Sequence, residues 1–297
     1  MAGDLLELLR RPGPILLDGA MGTRLMELGL PPGMPPELLN EEAPDAVLEV
    51  HRSYIAAGSQ VILTNSFGAN RRKLARLGLG DRAAGLATRA AELARGAGGR
   101  VVLGSIGPVG ELLRPLGKLT LEEAQEAYVE QAVALARGGV DGLLLETFFD
   151  LEELKAALRG VVAATGLPVL CSMSFGAKGK TMMGVSVERF VREIEGLGEE
   201  RVVAVGANCG AGPKEMEAIA EGLCAAAGRL PVLVKPNAGR PELVDGRTVY
   251  QTPPGEFARS AGKWLRAGVK LVGGCCGTTA EHIRALAELI ERWTKGT

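Results

Sequence analysis

DAVLEVHRSYIAAGSQVILTN, residues 45–65, holds in one stretch the unit from which the rest of the chain is built. Its first half sets Val47, Val50, Tyr54 and Ile55 on one face at helical spacing. Gly58 ends that period in the way a left-handed helix cap does. Past Ser59 and Gln60 comes the apolar run Val61-Ile62-Leu63, and then the polar pair Thr64-Asn65. The same passage from helix through glycine to strand recurs at Arg137-Gly138-Gly139-Val140 and at Ala267-Gly268-Val269.

Outward from this unit, further apolar runs occur at 15–17, 101–103, 143–145, 169–170, 202–205, 232–234 and 269–272, making eight with Val61-Ile62-Leu63. They are mostly continuous rather than alternating, as strands covered on both faces are. Helical periods lie between them, at about 81–96, 151–164, 186–196, 213–227, 254–267 and 279–293. Thr120 with Glu123 forms a capping-box pattern that opens another helix, running to about Arg137. Eight strand runs, each followed by a helix, predict a (β/α)8 TIM barrel filling residues 1–297 as a single domain. An open doubly wound sheet is the competing arrangement, and strand count and length favour the barrel. Pro31 to Pro36 reads as a loop, and no linker-like stretch divides the chain.

The composition narrows the function classes. The chain is 46% hydrophobic and 23% charged, as ordinary globular proteins are. Its 34 basic against 35 acidic residues leave a net charge of −1, without the basic excess of a nucleic-acid binder. No apolar run approaches the roughly 18 residues of a membrane span. Met1-Ala2-Gly3-Asp4 lacks the start of a secretory signal, and five cysteines cannot all pair. The expectation is therefore a cytoplasmic protein with free thiols. With only His51 and His282 available, any tight zinc centre has to be mostly thiolate.

Barrel chemistry sits at the C-terminal ends of the strands. Those positions carry Asp18-Gly19-Ala20, Asn65, Ser105, Glu146, Ser172, Asn208-Cys209-Gly210, Lys235-Pro236-Asn237 and Gly273-Gly274-Cys275-Cys276-Gly277. Three of the five cysteines fall on this face. Cys171, within or near a strand, and Cys224, in mid-helix, read as small buried hydrophobes. Taken alone, Cys275-Cys276 could be a vicinal disulfide or packing in a tight turn. In a barrel, however, strands six and eight flank strand seven, so Cys209 can meet the pair across one sector of the rim. Three sulfurs would leave the fourth tetrahedral position of zinc open, the arrangement of a catalytic site. Three thiolates give such a centre a net charge of −1. That suits it less to hydrolysis than to carrying a substrate thiolate for alkyl transfer.

The segments LLDGAMGT (16–23), LTNSFGAN (63–70), GSIGP (104–108), LLETF (144–148), GANCG (206–210), KPNAG (235–239) and GGCCGTT (273–279) resemble the homocysteine S-methyltransferase family. They are most similar to the N-terminal homocysteine-binding domain of cobalamin-dependent methionine synthase. The resemblance covers every strand end. It implies a Zn2+ site of Cys209, Cys275 and Cys276 that activates L-homocysteine as a thiolate, which attacks a methyl donor to give L-methionine. It further implies that Asp18 and Glu146 hold the substrate ammonium and that the amides of Gly19 and Ala20 hold its carboxylate. Asn237 would lie near the metal and fill its fourth position when substrate is absent, with Asn65 and Ser105 lining the pocket. The folate, cobalamin and activation domains of such synthases do not fit in 297 residues. Methylcobalamin or methyltetrahydrofolate would thus come from a separate domain or protein, and S-methylmethionine and betaine are the alternative donors.

Other readings compete. Lys235 could form a Schiff base, as in an aldolase or lyase, or pair with buried acids. Asp18 and Glu146 could be ordinary strand-end carboxylates. Gly176-Ala177-Lys178-Gly179-Lys180-Thr181 resembles a phosphate loop, but Ser174 stands where the first glycine is required. Arg71-Arg72-Lys73 reads as a solvated helix face or a contact for a donor-carrying partner, and the two histidines as helix residues without chemistry.

Overall fold

The computed structural model describes residues 2–244 and 247–296. The strands are β1 (Ile15–Leu16), β2 (Val61–Leu63), β3 (Val101–Ile106), β4 (Gly142–Phe148), β5 (Val169–Met173), β6 (Val202–Asn208) and β7 (Val232–Lys235). A hairpin of β8 (Glu242–Val244) and β9 (Arg247–Val249) follows, and then β10 (Leu271–Val272). Apart from the hairpin, the strands pair in parallel in the order β1-β10-β7-β6-β5-β4-β3-β2. A bridge between Leu17 and Val61 joins the two ends, so the sheet closes on itself. The result is a single-domain (β/α)8 barrel, and the open sheet is excluded. No helix among the described residues is long and apolar enough to cross a membrane.

Local sequence explains the joints. Gly58, Gly139 and Gly268 have φ of 107°, 90° and 106°, the left-handed caps that their hand-over pattern requires. Thr120 and Glu123 form both halves of the capping box, at 3.2 and 2.9 Å, at the start of the helix Leu121–Arg137.

The core has two layers. Between strands and helices lies an apolar shell that includes Val102, Leu143, Val205, Val234 and Trp264. Inside the barrel a second cluster contains Ile15, Leu17, Leu63, Leu103, Leu144, Leu170, Ala204, Leu233 and Leu271. The helix Ala2–Arg10, which the periodicity did not predict, adds Leu5 and Leu8 to that inner cluster. Nine residues with no capping signal are too short for their period to stand out.

Five strands also run further than their apolar runs, β7 by the single residue Lys235. Ser105, Glu146, Ser172 and Asn208 therefore lie within β3, β4, β5 and β6 rather than after them. Each stands two or four positions beyond an inner-core residue, namely Leu103, Leu144, Leu170 and Ala204. Side chains alternate along a strand, so these polar groups enter the barrel mouth directly above the apolar filling. Hydrophobicity ended the sequence reading where the backbone pairing continued. The β8–β9 hairpin was missed as well, although Asp245-Gly246, which lies outside the described residues, is a hairpin dipeptide.

Candidate active site

Cys209 immediately follows β6, and its N–H donates to the carbonyl of Lys235 at 3.0 Å. Its backbone is left-handed, with φ of 57°. Gly210 is left-handed too, and a Cβ there would come within 2.5 Å of the Phe175 carbonyl and of Ser174 Oγ. Only glycine lets the chain turn away at that point. On the loop after β10, the Cys275 N–H donates to the Pro236 carbonyl at 2.8 Å, and the Cys276 carbonyl accepts from Ala238 N–H at 2.9 Å. The end of β7 and the segment after it thus anchor both cysteine-bearing loops. The three Sγ atoms all lie within 4.8 Å of one another, and none is in a disulfide.

Their protonation is unequal. Hydrogen bonds from Cys275 and Cys276 pull the Cys209 thiol well below its ordinary pKa, helped by Gly210 N–H and Asn237. The same sharing pushes Cys275 up and raises Cys276 to about 11. One negative charge is stable here without help, whereas three require a cation. Asn237 Oδ1 is buried beside this cluster without a hydrogen-bond partner. Three soft donors and one orphaned oxygen fit a four-coordinate zinc ion.

Beside the thiols lies an acidic pocket. Asp18 Oδ1 accepts from Lys235 Nζ at 3.0 Å, and Oδ2 accepts from Leu63 N–H at 2.7 Å. Burial raises the Asp18 pKa, against the opposing pull of Lys235 and the Leu63 amide. Burial works against the Lys235 ammonium, yet Asp18, Glu146 and Cys275 together hold its pKa above the ordinary value. Glu146 Oε1 accepts from Ser105 Oγ at 2.5 Å, and Oε2 from Asn208 Nδ2 at 3.4 Å. Burial likewise raises Glu146, only partly offset by Lys235 and Ser105.

The remaining candidates are more committed to the scaffold than the sequence suggested. Ala20 N–H already donates to Thr278 Oγ1 at 3.0 Å, so a carboxylate there has to share it. Gly19 lies against Tyr54 and Thr278, with no room for a side chain. Asn65 Nδ2 is spent on the Pro36 carbonyl and on Asn40 Oδ1. Ser105 reaches the pocket through Glu146. Lys235 is paired and protonated, the opposite of the neutral amine that a Schiff base needs. Arg71 and Arg72 form ion pairs with Glu130, Asp81 and Glu111, and Lys73 lies over the Phe67 ring. His51 and His282 are in helices and buried.

Sequence reasoning placed Asn208 at the mouth without giving it a role, and it missed Tyr250. Asn208 Oδ1 accepts from Thr147 N–H at 2.8 Å and from Ser172 Oγ at 2.7 Å, and its Nδ2 donates to Thr147 Oγ1 at 2.6 Å. Its signal was its inward register with Ala204. Tyr250, beside the hairpin, hydrogen-bonds Cys276 and packs against Gly277. Nothing in the sequence marked it.

A parallel barrel with three convergent thiols and a buried acid pair at its C-terminal mouth defines a class of barrel enzyme with a thiolate centre. Residues 15–290 match the family described as homocysteine S-methyltransferase. The chain belongs to that family. It is 37% identical to a methionine synthase of Mycobacterium leprae over 99% of its length, and 36% identical to that of Mycobacterium tuberculosis over 97%. It spans about a quarter of the length of these relatives, 26% and 25%. Among solved structures, the metallated form of the homocysteine methyltransferase MmuM from Escherichia coli is similar, at 28% identity and a TM-score of 0.81. That match covers 96% of this chain and 99% of the other, and the apo form of the same protein gives 0.75.

Proposed function

We propose that the protein transfers a methyl group to the thiol of L-homocysteine and yields L-methionine, with zinc held by Cys209, Cys275 and Cys276. The observation that carries this reading is the approach of three sulfurs to within 4.8 Å, next to buried Asp18 and Glu146. Zinc, when bound, supplies a lowered thiol pKa and an electron-rich sulfur at neutral pH. The chain's own residues do the rest. The acidic pocket of Asp18 and Glu146 attracts the substrate's ammonium, while the Gly19-Ala20 turn meets its carboxylate. Asn237, with its unpartnered Oδ1, is our candidate for the fourth donor before substrate arrives. The thiol gives up its proton, a sulfur–methyl bond forms, and the bond from methyl to donor breaks in line. Holding both reactants in that line supplies a large part of the rate.

The donor we favour is methylcobalamin or methyltetrahydrofolate, brought by a separate domain or protein. Higher identity to the methionine synthases than to MmuM supports it. S-Methylmethionine or betaine is the alternative. The free thiols support a cytoplasmic setting. Parallel assays of methionine formation with the four donors test the choice, and failure with all of them overturns the activity. Cys275→Ser is expected to lose bound zinc and homocysteine binding together; normal zinc stoichiometry in that variant refutes the ligand set. X-ray absorption should register one more sulfur at the metal when homocysteine is added, and an unchanged count means a purely structural ion.

A further inference from the structure

We infer that Tyr250 shields Cys276 from the methyl donor: its phenol O–H donates to the Cys276 sulfur, so that the substrate's sulfur is the one alkylated. The inference rests on the zinc–thiolate reading above.

A centre built for alkyl transfer on thiolates has to choose among its sulfurs. Once a substrate thiol joins Cys209, Cys275 and Cys276, any of them could take the methyl group. Attack by a protein sulfur forms a sulfur–methyl bond, breaks the bond from methyl to donor, and leaves a neutral thioether where a thiolate stood. The negative charge that binds the metal is then gone, so one such event ends the use of the site. A hydrogen bond onto a thiolate draws on the lone pairs that attack carbon, and it slows that attack.

Cys209 receives the Gly210 N–H and Asn237, while Cys276 receives Tyr250. Cys275 acts on the buried Lys235 and Tyr54 instead, on the inner side of the cluster. The backbone places Tyr250 for its part. It directly follows β9, and its ring fills the space that Gly277 leaves open, where a Cβ would overlap the ring carbons. Two residues on, Thr252 N–H donates to the Ala238 carbonyl at 2.9 Å, and Ala238 N–H donates to the Cys276 carbonyl at 2.9 Å. His282 secures the same point. Its Nδ1 accepts from Thr279 N–H at 3.2 Å, so its ring proton sits on Nε2 and goes to the Thr252 carbonyl at 2.9 Å. Tyr250 is thus pinned, through Thr252 and Ala238, to the cysteine that it caps. A phenol is a donor at neutral pH, and a metal-bound thiolate can only accept. Packing on Gly277 alone would need the ring and not the hydroxyl.

Tyr250→Phe keeps the ring and removes the O–H. Parent and variant, both loaded with zinc, are treated with methyl iodide in the absence of homocysteine, and peptide mass spectrometry follows methylation at each cysteine. The thiolate displaces iodide, so the reagent reads the nucleophilicity of each sulfur. The rate at Cys276 relative to Cys209 should rise roughly tenfold in Tyr250→Phe, the scale of one charge-assisted hydrogen bond. Cobalt(II) loading gives a second reading. The thiolate-to-metal charge-transfer band should move to lower energy in the variant, because a sulfur freed from its donor is richer in electrons. A tyrosine that only fills space leaves that band where it was. An unchanged ratio, an unmoved band, or an equal rise at both cysteines, which would mean a site merely opened, overturns the inference. If the variant does not take up metal, a crystal structure of the zinc-loaded parent decides. A phenol oxygen in hydrogen-bonding contact with Cys276 Sγ supports the assignment, and a ring turned away from it refutes it. If the parent itself binds no zinc, the metal reading falls and takes this inference with it, whereas full zinc loading with an unchanged ratio removes this inference alone.

Discussion

Among the described residues, Thr147 and Cys209 are the two that take a left-handed backbone without being glycine, at φ of 65° and 57°. Both border the pocket, and each conformation costs on the order of 1–3 kcal/mol. One side chain compensates. Asn208, fully buried, accepts from the Thr147 N–H, donates to its hydroxyl and reaches Glu146, while its own backbone leads into Cys209. Truncation would remove the partner of a strained amide and of three side chains, those of Thr147, Ser172 and Glu146. Asn208→Ala should therefore cost about 3 kcal/mol in urea denaturation, well above the effect of an ordinary surface change. A loss below about 1 kcal/mol would mean that something else holds the bend.

The loop after β3 is fastened to two helices by one carboxylate. Glu153, on the helix Leu151–Ala164, accepts from Val109 N–H at 2.9 Å and from Tyr128 Oη at 2.7 Å. The Tyr128 ring in turn lies 5.8 Å from that of Phe148 at the end of β4. Burial raises the Glu153 pKa more than these two donors lower it. An acid whose folded pKa exceeds its unfolded one contributes most below the unfolded value, near 4.5, and the contribution fades as pH rises through the folded value. Glutamine keeps an oxygen for both donors and carries no charge. Glu153→Gln should thus be more stable than the parent at pH 8 and indistinguishable from it at pH 4. Equal stability of the two proteins at both pH values would show that the ionised carboxylate is tolerated there.

At the scale of the whole molecule, a buried histidine that takes no part in the thiol cluster contributes to acid sensitivity. His51 faces the interior from the helix Pro44–Ala56 with neither ring nitrogen hydrogen-bonded, and burial lowers its pKa to about 4. A depressed histidine favours folding fully above its unfolded pKa, near 6.5, and loses that contribution as pH falls toward 4. The interval corresponds to about 3 kcal/mol. His51→Leu should therefore unfold less readily than the parent at pH 4.5 and similarly at pH 7.5, as read by thermal melts. The raised carboxylates tilt the other way in both proteins, so the difference between the two melts isolates the imidazole. A difference that does not grow on acidification would place the acid-sensitive group elsewhere.

Barrel and thiol cluster were both legible in the residue order, because each rests on a local pattern repeated at regular intervals. An apolar run and a helical period recur eight times, with a glycine cap at three of the joints, and the two cysteine motifs stand at the ends of two such runs. The short-range grammar fails where partners come from different strands. Asp18 and Glu146 look alike in their segments, and only closure of the barrel brings Lys235 against one of them and Ser105 and Asn208 against the other. Strand ends were misjudged for a related reason, since hydrophobicity stops at the polar mouth while backbone pairing goes on. Chain order therefore determined which groups arrive at the mouth, through periodicities set by backbone geometry. The tertiary structure alone decided their charges and partners, because these depend on distances of a few ångströms between residues up to 217 positions apart.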